Sequence, residues 1–252
     1  MSAIDRYMDV LHLFTETKSM WTVHEVSLEL EVPLSTVYRT MRDLMRASML
    51  ESAVEGHYRL GPLFIEFDRR TRLTDPLVQI ATPMLAEIAM HAQIPCVAVL
   101  ARLYGHTVMS VADATGPAGP VQTSYERGRP MPLTRGATSK TILAQLSGRR
   151  LDKLLASGDV AERAALSDPE FRRQLVWIRK NGYSIARGEV DAGRVGVAVP
   201  LSIPEQGLVA SLSLVLDVES SSEAIERRLV LLLVSSVGLL NEQLAPRFSA
   251  SN

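Results

Sequence analysis

Three groups of side chains in this 252-residue sequence have types and spacings that could do chemistry. The first is Ser35, Thr36, Arg39, Arg42 and Arg46. On a helix turning about 100° per residue, Ser35, Arg39, Arg42 and Arg46 cluster on one side with Thr36 beside them. Leu34, Val37, Met41, Leu44 and Met45 take another side. Hydroxyls and guanidinium groups sharing a helix face suit contacts with phosphates and base edges. The second group is Gly136-Ala137-Thr138-Ser139-Lys140, which reads as a helix N-terminus whose free amides and hydroxyls suit a carboxylate or another anion. Its likeness to a phosphate loop fails, because Ser139 and Thr134 stand where that motif needs glycine. The third is Ser211 and Ser213, two apart on an expected strand, with Leu212 and Leu214 on its opposite face. Arg187 and Glu189 sit in the glycine-punctuated run Arg187 to Gly193.

Other chemistries lack their residues. His12, His24, His57, His91 and His106 are scattered, and His24-Glu25 has Leu28 where a zinc-binding helix needs its second histidine. There is no G-x-S-x-G elbow and no paired cysteine, so no metal or cofactor is expected. Lys140 and Cys96 are nucleophilic in type, yet neither has a base beside it in sequence.

The reactive groups need elements to hold them. Ile4, Met8, Leu11 and Phe14 recur at helical spacing. Thr22 and Glu25 form a capping-box pair, and Trp21 can staple onto Val26, so a second helix starts at Thr22 and ends near Glu31. Pro33 suits the first turn of the next helix, which carries the arginines. Met49 to Leu60 reads as a hairpin turning at Glu55-Gly56, with His57 at its tip and Arg59 on its return arm. Two helices across a short turn followed by a hairpin are a winged helix-turn-helix, a DNA-reading unit.

A further helix spans Pro62 to Arg70, and Leu73-Thr74-Asp75-Pro76 carries turn chemistry. The expected organisation is 1–61, a winged helix; 62–75, a linker helix; and 76–252, a second domain. In that domain helices are expected at Leu77–His91, Thr138–Leu146, Leu151–Leu155, Asp168–Lys180 and Ser222–Leu244. Strands are expected at Cys96–Leu103, Thr107–Ala112, Tyr183–Ala186, Val195–Ile203 and Leu208–Leu216, the last two joined by a turn at Pro204 to Gly207. The fold class is α+β, with helices flanking an antiparallel sheet able to carry a small-molecule pocket.

A formal net charge of -1 gives no global case for nucleic acid, so DNA binding must rest on the local arginines and on dimerisation. The single Cys96 favours a reducing compartment. Asp5, Arg6 and Asp9 interrupt any leader-like apolar run, and Ser235, Ser236 and Gly238 break the most apolar stretch. A soluble, cytoplasmic protein with no membrane partner is expected.

Val32-Pro33-Leu34-Ser35-Thr36-Val37-Tyr38-Arg39 and Tyr58-Arg59-Leu60-Gly61, together with Met131 to Lys140, Asn181-Gly182-Tyr183, Gly188 to Gly193 and Val197 to Pro200, resemble the IclR family of bacterial transcriptional regulators in order and separation. The resemblance covers essentially the whole chain. It implies a winged helix, a linker helix and a GAF-like effector-binding domain, assembled as homodimers or dimers of dimers. It implies that Ser35, Thr36, Tyr38 and Arg39 lie near operator DNA, where Arg42, Arg46, His57 and Arg59 join them as candidate contacts. It also implies an effector pocket around Ala137, Thr138, Glu189, Gly196, Ser211 and Ser213, to which the helix N-terminus at Gly136 to Lys140 adds Ser139 as a candidate. The chain departs from many members at Thr134-Arg135, at Ser139 and at Gly196, where some relatives carry cysteine. Arg135, Arg187 and Arg194 favour an organic acid as effector. The expectation is therefore an effector-controlled regulator, a repressor before an activator, and not an enzyme. The rival from another class is a metabolite-processing enzyme whose winged helix serves only protein interaction. A third reading is a ligand-binding oligomerisation protein that does not touch DNA.

Overall fold

The computed structural model describes residues 2–119, 121–203 and 207–249, apart from the side chains of residues 3 and 245–249. The expected turn at Pro204 to Gly207 lies mostly outside them. The chain forms two compact units, Met1–Thr74 and Asp75–Asn252.

In the first unit α1 (Ala3–His12), α2 (Val23–Glu29) and α3 (Leu34–Arg46) enclose a core of Val10, Phe14, Trp21, Val26, Val37, Met41, Leu44 and Leu50. The Thr22 hydroxyl accepts from the Glu25 amide at 3.2 Å, and the Glu25 carboxylate accepts the Thr22 amide at 2.8 Å. That reciprocal cap satisfies two donors that a helix start otherwise leaves without partners. Glu31, at φ 53, turns the chain between α2 and α3, and the Ser27 hydroxyl ties the turn by donating to the Val32 carbonyl at 2.7 Å. The wheel needs one correction. Leu34 is 51% exposed, because the first turn of α3 projects beyond the core, whereas Thr40 is buried with its hydroxyl donated to the Thr36 carbonyl.

The hairpin forms from β2 (Leu50–Ser52) and β3 (His57–Leu60), joined through Glu55 and Gly56 at positive φ. A strand that the sequence did not disclose, β1 (Trp21–Thr22), completes the sheet against β3. Gly61 leaves the wing where an added Cβ would lie 2.4 Å from the Ser48 carbonyl oxygen, so only glycine fits that close approach. The helix α4 (Leu63–Thr74) runs through Leu73-Thr74, where a turn was expected, and has no buried residue; Asp75 instead caps α5 (Pro76–His91).

The second unit is built on a six-stranded antiparallel sheet. Its strands are β4 (Cys96–Tyr104), β5 (Thr107–Thr115), β6 (Pro130–Met131), β7 (Ser184–Arg187), β8 (Arg194–Ile203) and β9 (Leu208–Asp217), in the spatial order β6-β5-β4-β9-β8-β7. Strand alternation sorts the faces. Ala210, Leu212, Leu214 and Leu216 of β9 join the core under α5 and α10 (Glu223–Ser249). Val209 and Val215 face the other core, with side chains from α6 (Ala137–Ala144), α7 (Gly148–Ala156) and α9 (Pro169–Asn181). A short α8 (Val160–Ala165) went unforeseen despite its Asp159–Glu162 capping box. Helices segregated about an antiparallel sheet make this unit α+β.

Candidate functional site

The first candidate surface is the outer face of α3. Val37, Met41 and Leu44 fix its rotation by burying the opposite face. Ser35, Arg39, Arg42 and Arg46 are all exposed, Tyr38 is 57% exposed, and Thr36 is half-buried. Arg39 and Arg46 make no ion pair among the described residues, and Arg42 meets only Asp43, at 3.8 Å. Lys18 and Glu25 pair beside α2, leaving those charges locally matched. In the hairpin, Arg59 donates to Glu51 at 2.6 Å, and a His57 ring nitrogen lies 3.2 Å from the Val54 carbonyl. So the structure leaves the α3 cations open while the wing cation already has a carboxylate.

The second site sits at the N-terminus of α6. Gly136 precedes that helix at φ 85, and a Cβ there would meet the Tyr125 hydroxyl at 2.5 Å and Val190 at 2.8 Å. No hydroxyl of its own caps α6. Instead Glu189, from the turn after β7, supplies the anion: it accepts the Gly136 amide at 2.8 Å on one oxygen and the Lys140 ammonium at 2.7 Å on the other. A carboxylate at a helix N-terminus is stabilised by about 1 kcal/mol. At the other end of α6, Arg179 donates to the Ala144 and Leu146 carbonyls at 2.7 and 2.6 Å.

Beside Glu189 lies a narrow recess of about 20 Å³, room for about one water, lined by Tyr125, Gly136, Ala137, Ala186, Gly196 and Val215 with Gly188 to Asp191 and Arg194. Small residues make it: Ala137, Ala186 and Ala198 cluster together, and a Cβ on Gly196 would come within 3.4 Å of that of Ala137. Burial pushes the Tyr125 phenol up to about 12, so it remains a hydrogen-bond donor at neutral pH. For Asp191, burial pushes upward, but hydrogen bonds from the Ser124 hydroxyl and amide and from Thr123 outweigh it and leave the carboxyl below its ordinary range.

The sequence-chosen effector residues separate into two layers. Ala137, Glu189 and Gly196 line the recess. Thr138, Ser139, Ser211 and Ser213 are buried beneath α6, where the Thr138 and Ser213 hydroxyls lie 3.1 Å apart. The Ser139 and Ser211 hydroxyls are buried without a hydrogen-bond partner. Two of the arginines that favoured an acid are already engaged: Arg187 donates to both Glu226 oxygens at 2.5 and 2.6 Å, and Arg194 pairs with Asp217 and with the Gln122 carbonyl. Arg135 is exposed and makes no ion pair among the described residues. Tyr125, Ala186 and Val215 were missed, because their placement depends on pairings far apart in sequence. The carboxylate missing beside Lys140 in sequence is Glu189 in space, at 2.7 Å. Among the described residues no cluster of three or more His, Cys, Asp and Glu could hold a metal, and no helix is long and apolar enough to cross a membrane.

A winged helix-turn-helix ahead of an α+β domain is the architecture of a DNA-binding transcriptional regulator. Residues 3–53 match the IclR helix-turn-helix domain, and residues 73–237 match the family described as bacterial transcriptional regulator IclR C-terminal. The chain belongs to the IclR family, whose matched domains are those of regulators rather than enzymes. It is 24% identical over 210 residues to the HTH-type transcriptional regulator KipR of Bacillus subtilis, covering 82% of each chain. To XynR of Escherichia coli, another HTH-type regulator, it is 25% identical over 224 residues, 85% of each. Solved structures share the fold. A putative IclR regulator from Silicibacter matches with a TM-score of 0.79 at 18% identity, over 96% of both chains. An IclR homologue from Microbacterium hydrocarbonoxydans, complexed with 4-hydroxybenzoate, matches with a TM-score of 0.77 at 21% identity, over 97% of this chain and 100% of that one.

Proposed function

We propose that this chain is a cytoplasmic, homo-oligomeric repressor that reads a near-palindromic operator through α3 and is controlled by a small organic acid. The observation that carries the DNA reading is the open face of α3, where Ser35, Arg39, Arg42 and Arg46 are exposed on a helix rotated by its buried side. Thr36 and Tyr38 flank that face, and His57 and Arg59 extend it along the wing. The sequence-selective part falls to Arg39, because guanidinium groups pair bidentately with guanine and Arg39 has no intramolecular competitor among the described residues. Self-association is supported by α4, whose Phe64, Ile65, Phe67 and Leu73 are exposed. A two-fold pair would meet half-sites about one helical turn apart, or a multiple of it.

The effector reading rests on the recess beside Glu189. An acid entering it must widen it beyond its present volume of about 20 Å³, taking the Gly136 amide from Glu189, with the small Ala137 and Gly196 on its walls and Tyr125 donating. Thr138, Ser139, Ser211 and Ser213 form the layer beneath, and the partnerless hydroxyls of Ser139 and Ser211 gain from any shift of α6 that admits the ligand's polar end. The 4-hydroxybenzoate complex of the Microbacterium homologue supports a carboxylate of this kind. Regulation follows only if the acid binds the DNA-competent and DNA-incompetent arrangements with different affinity.

The test is a gel shift on DNA flanking the chain's own coding region, against unrelated competitor DNA, with and without a panel of organic acids. The proposal expects a salt-sensitive shift that resists competitor and changes with an acid. Arg39→Ala should weaken specific binding by at least about 30-fold, from about 1–3 kcal/mol lost in each of two half-sites. Equal retardation of unrelated DNA, or an unaffected Arg39→Ala, overturns it.

A further inference from the structure

A second recess, open to solvent, lies on the other side of the Lys140–Glu189 pair, with a volume of about 360 Å³. That volume is of the order of known small-molecule sites, roughly 300–1,000 Å³. Its base includes Ile178 and Ser184, both buried. One wall is Trp177, which stays 47% exposed and is fixed edge-on by Tyr183, with ring centroids 5.2 Å apart and planes at 79°. A tryptophan held in place with its ring half open is a ready apolar surface for a flat ligand.

The unused hydrogen-bonding capacity of this recess is donor capacity. Lys140, which lines it, has three ammonium hydrogens and donates to Glu189 at 2.7 Å and to Gln174 at 3.1 Å, leaving one. Arg173 has five N–H groups and gives two to Glu170. The carboxylates, by contrast, are each held from within the chain. Glu189 accepts from Gly136 and Lys140, and Glu170 is held below its ordinary range first by Arg173, with Gln174 adding a hydrogen bond. A ligand here must therefore bring acceptors, and the Trp177 ring with Ile178 and Ile185 asks for a planar apolar body.

From this arrangement we propose a second ligand site for an aromatic monocarboxylate, its ring against Trp177 and its carboxylate between Lys140 and Arg173. The site stands independently of the effector reading of the first recess. Its coupling to that recess does rest on the reading: a carboxylate that takes Lys140 loosens Glu189, which also holds the Gly136 amide. Binding in either recess then favours binding in the other, and by linkage the factor is the same in both directions.

Benzoate is the probe, titrated into the full chain and followed by tryptophan fluorescence, with acetate at equal ionic strength as control. Trp177 is one of only two tryptophans, so Trp177→Phe identifies its share of the signal. The expected result is saturable quenching by benzoate and none by acetate, weakened at least tenfold by Arg173→Glu, a rim residue whose side chain is 70% exposed. Gly196→Ala, whose single methyl meets Ala137 at ordinary contact distance and narrows the first recess, should leave benzoate affinity within about twofold. Adding Glu189→Gln to that variant should raise it severalfold by freeing Lys140. Absence of saturable quenching, its loss in Gly196→Ala, or indifference to Arg173→Glu overturns the site. No gain from Glu189→Gln overturns the coupling through Lys140. Failure of the effector reading would show separately, as acids that leave DNA binding unchanged while benzoate still quenches.

Discussion

The α3 face and the α6 recess solve opposite problems. On α3 the polar side chains are presented outward: Arg39 and Arg46 have no ion pair among the described residues, and the apolar side of the helix alone fixes their direction. Around α6 nearly every charge is already answered from within the chain, Glu189 by Gly136 and Lys140, Asp191 by Ser124 and Thr123, Arg194 by Asp217. A surface for DNA can remain hydrated until phosphates arrive, because exposed cations lose little by waiting in water. A half-buried recess cannot leave a charge unmatched without a desolvation cost, and in the function proposed above Glu189 is the stand-in that an acid displaces. Substitutions on α3 should therefore change function without stability, while those around α6 should change both.

The largest effect that would break this contrast is at Gly136. Its φ of 85 and the 2.5 Å approach to the Tyr125 hydroxyl leave no place for a Cβ. Gly136→Ala should destabilise the second unit by roughly 2–4 kcal/mol, from backbone strain and overpacking together, as read by chemical denaturation. A loss no larger than that of an α3 surface substitution would mean the α6 N-terminus is not the tight seat described.

Next is the stand-in itself. Glu189→Gln keeps the shape and removes the charge that competes with an acid for Gly136 and Lys140. The concentration of acid needed to alter DNA binding should fall about tenfold, equivalent to ~1.4 kcal/mol. A requirement for more acid would make Glu189 a direct ligand contact instead.

The smallest effect sharpens the N-terminal side. The Glu25 carboxyl is held down from 4.5 to about 2, chiefly by the Thr22 amide and then by Lys18. A depressed folded-state value means stability fully present above about pH 4.5 and lost as pH falls towards 2. Glu25→Gln should lower the melting temperature of this unit near neutral pH, and the gap to the parent should close in strong acid. A gap independent of pH would remove the charge from the cap.

What could be read from sequence follows the range of the interactions. The Thr22–Glu25 cap, the Asp168–Pro169 start of α9 and the Glu55-Gly56 turn are set within a few residues, and each was legible. The alternation along β9 told which residues share a face, because a strand's period is independent of its neighbours. Leu34 was assigned inward because a wheel has no ends, whereas a real helix leaves its first turn outside the core. The two-residue β1 exists only through its pairing with Tyr58 and His57, which no local pattern announces. The seat of Glu189 on an amide 53 residues earlier was invisible for the same reason, and so were the partners that engage Arg187 and Arg194. Arginine type suggested an acid site; only tertiary placement shows which cations are free.

The measurement that tests the central claim most directly is DNase footprinting of the full chain on the DNA flanking its own coding region, with and without the acids that alter its gel shift. The account predicts two protected half-sites separated by about one helical turn or a multiple, with protection that changes when acid is added. Absence of a discrete protected site, or one that no acid alters, would contradict it.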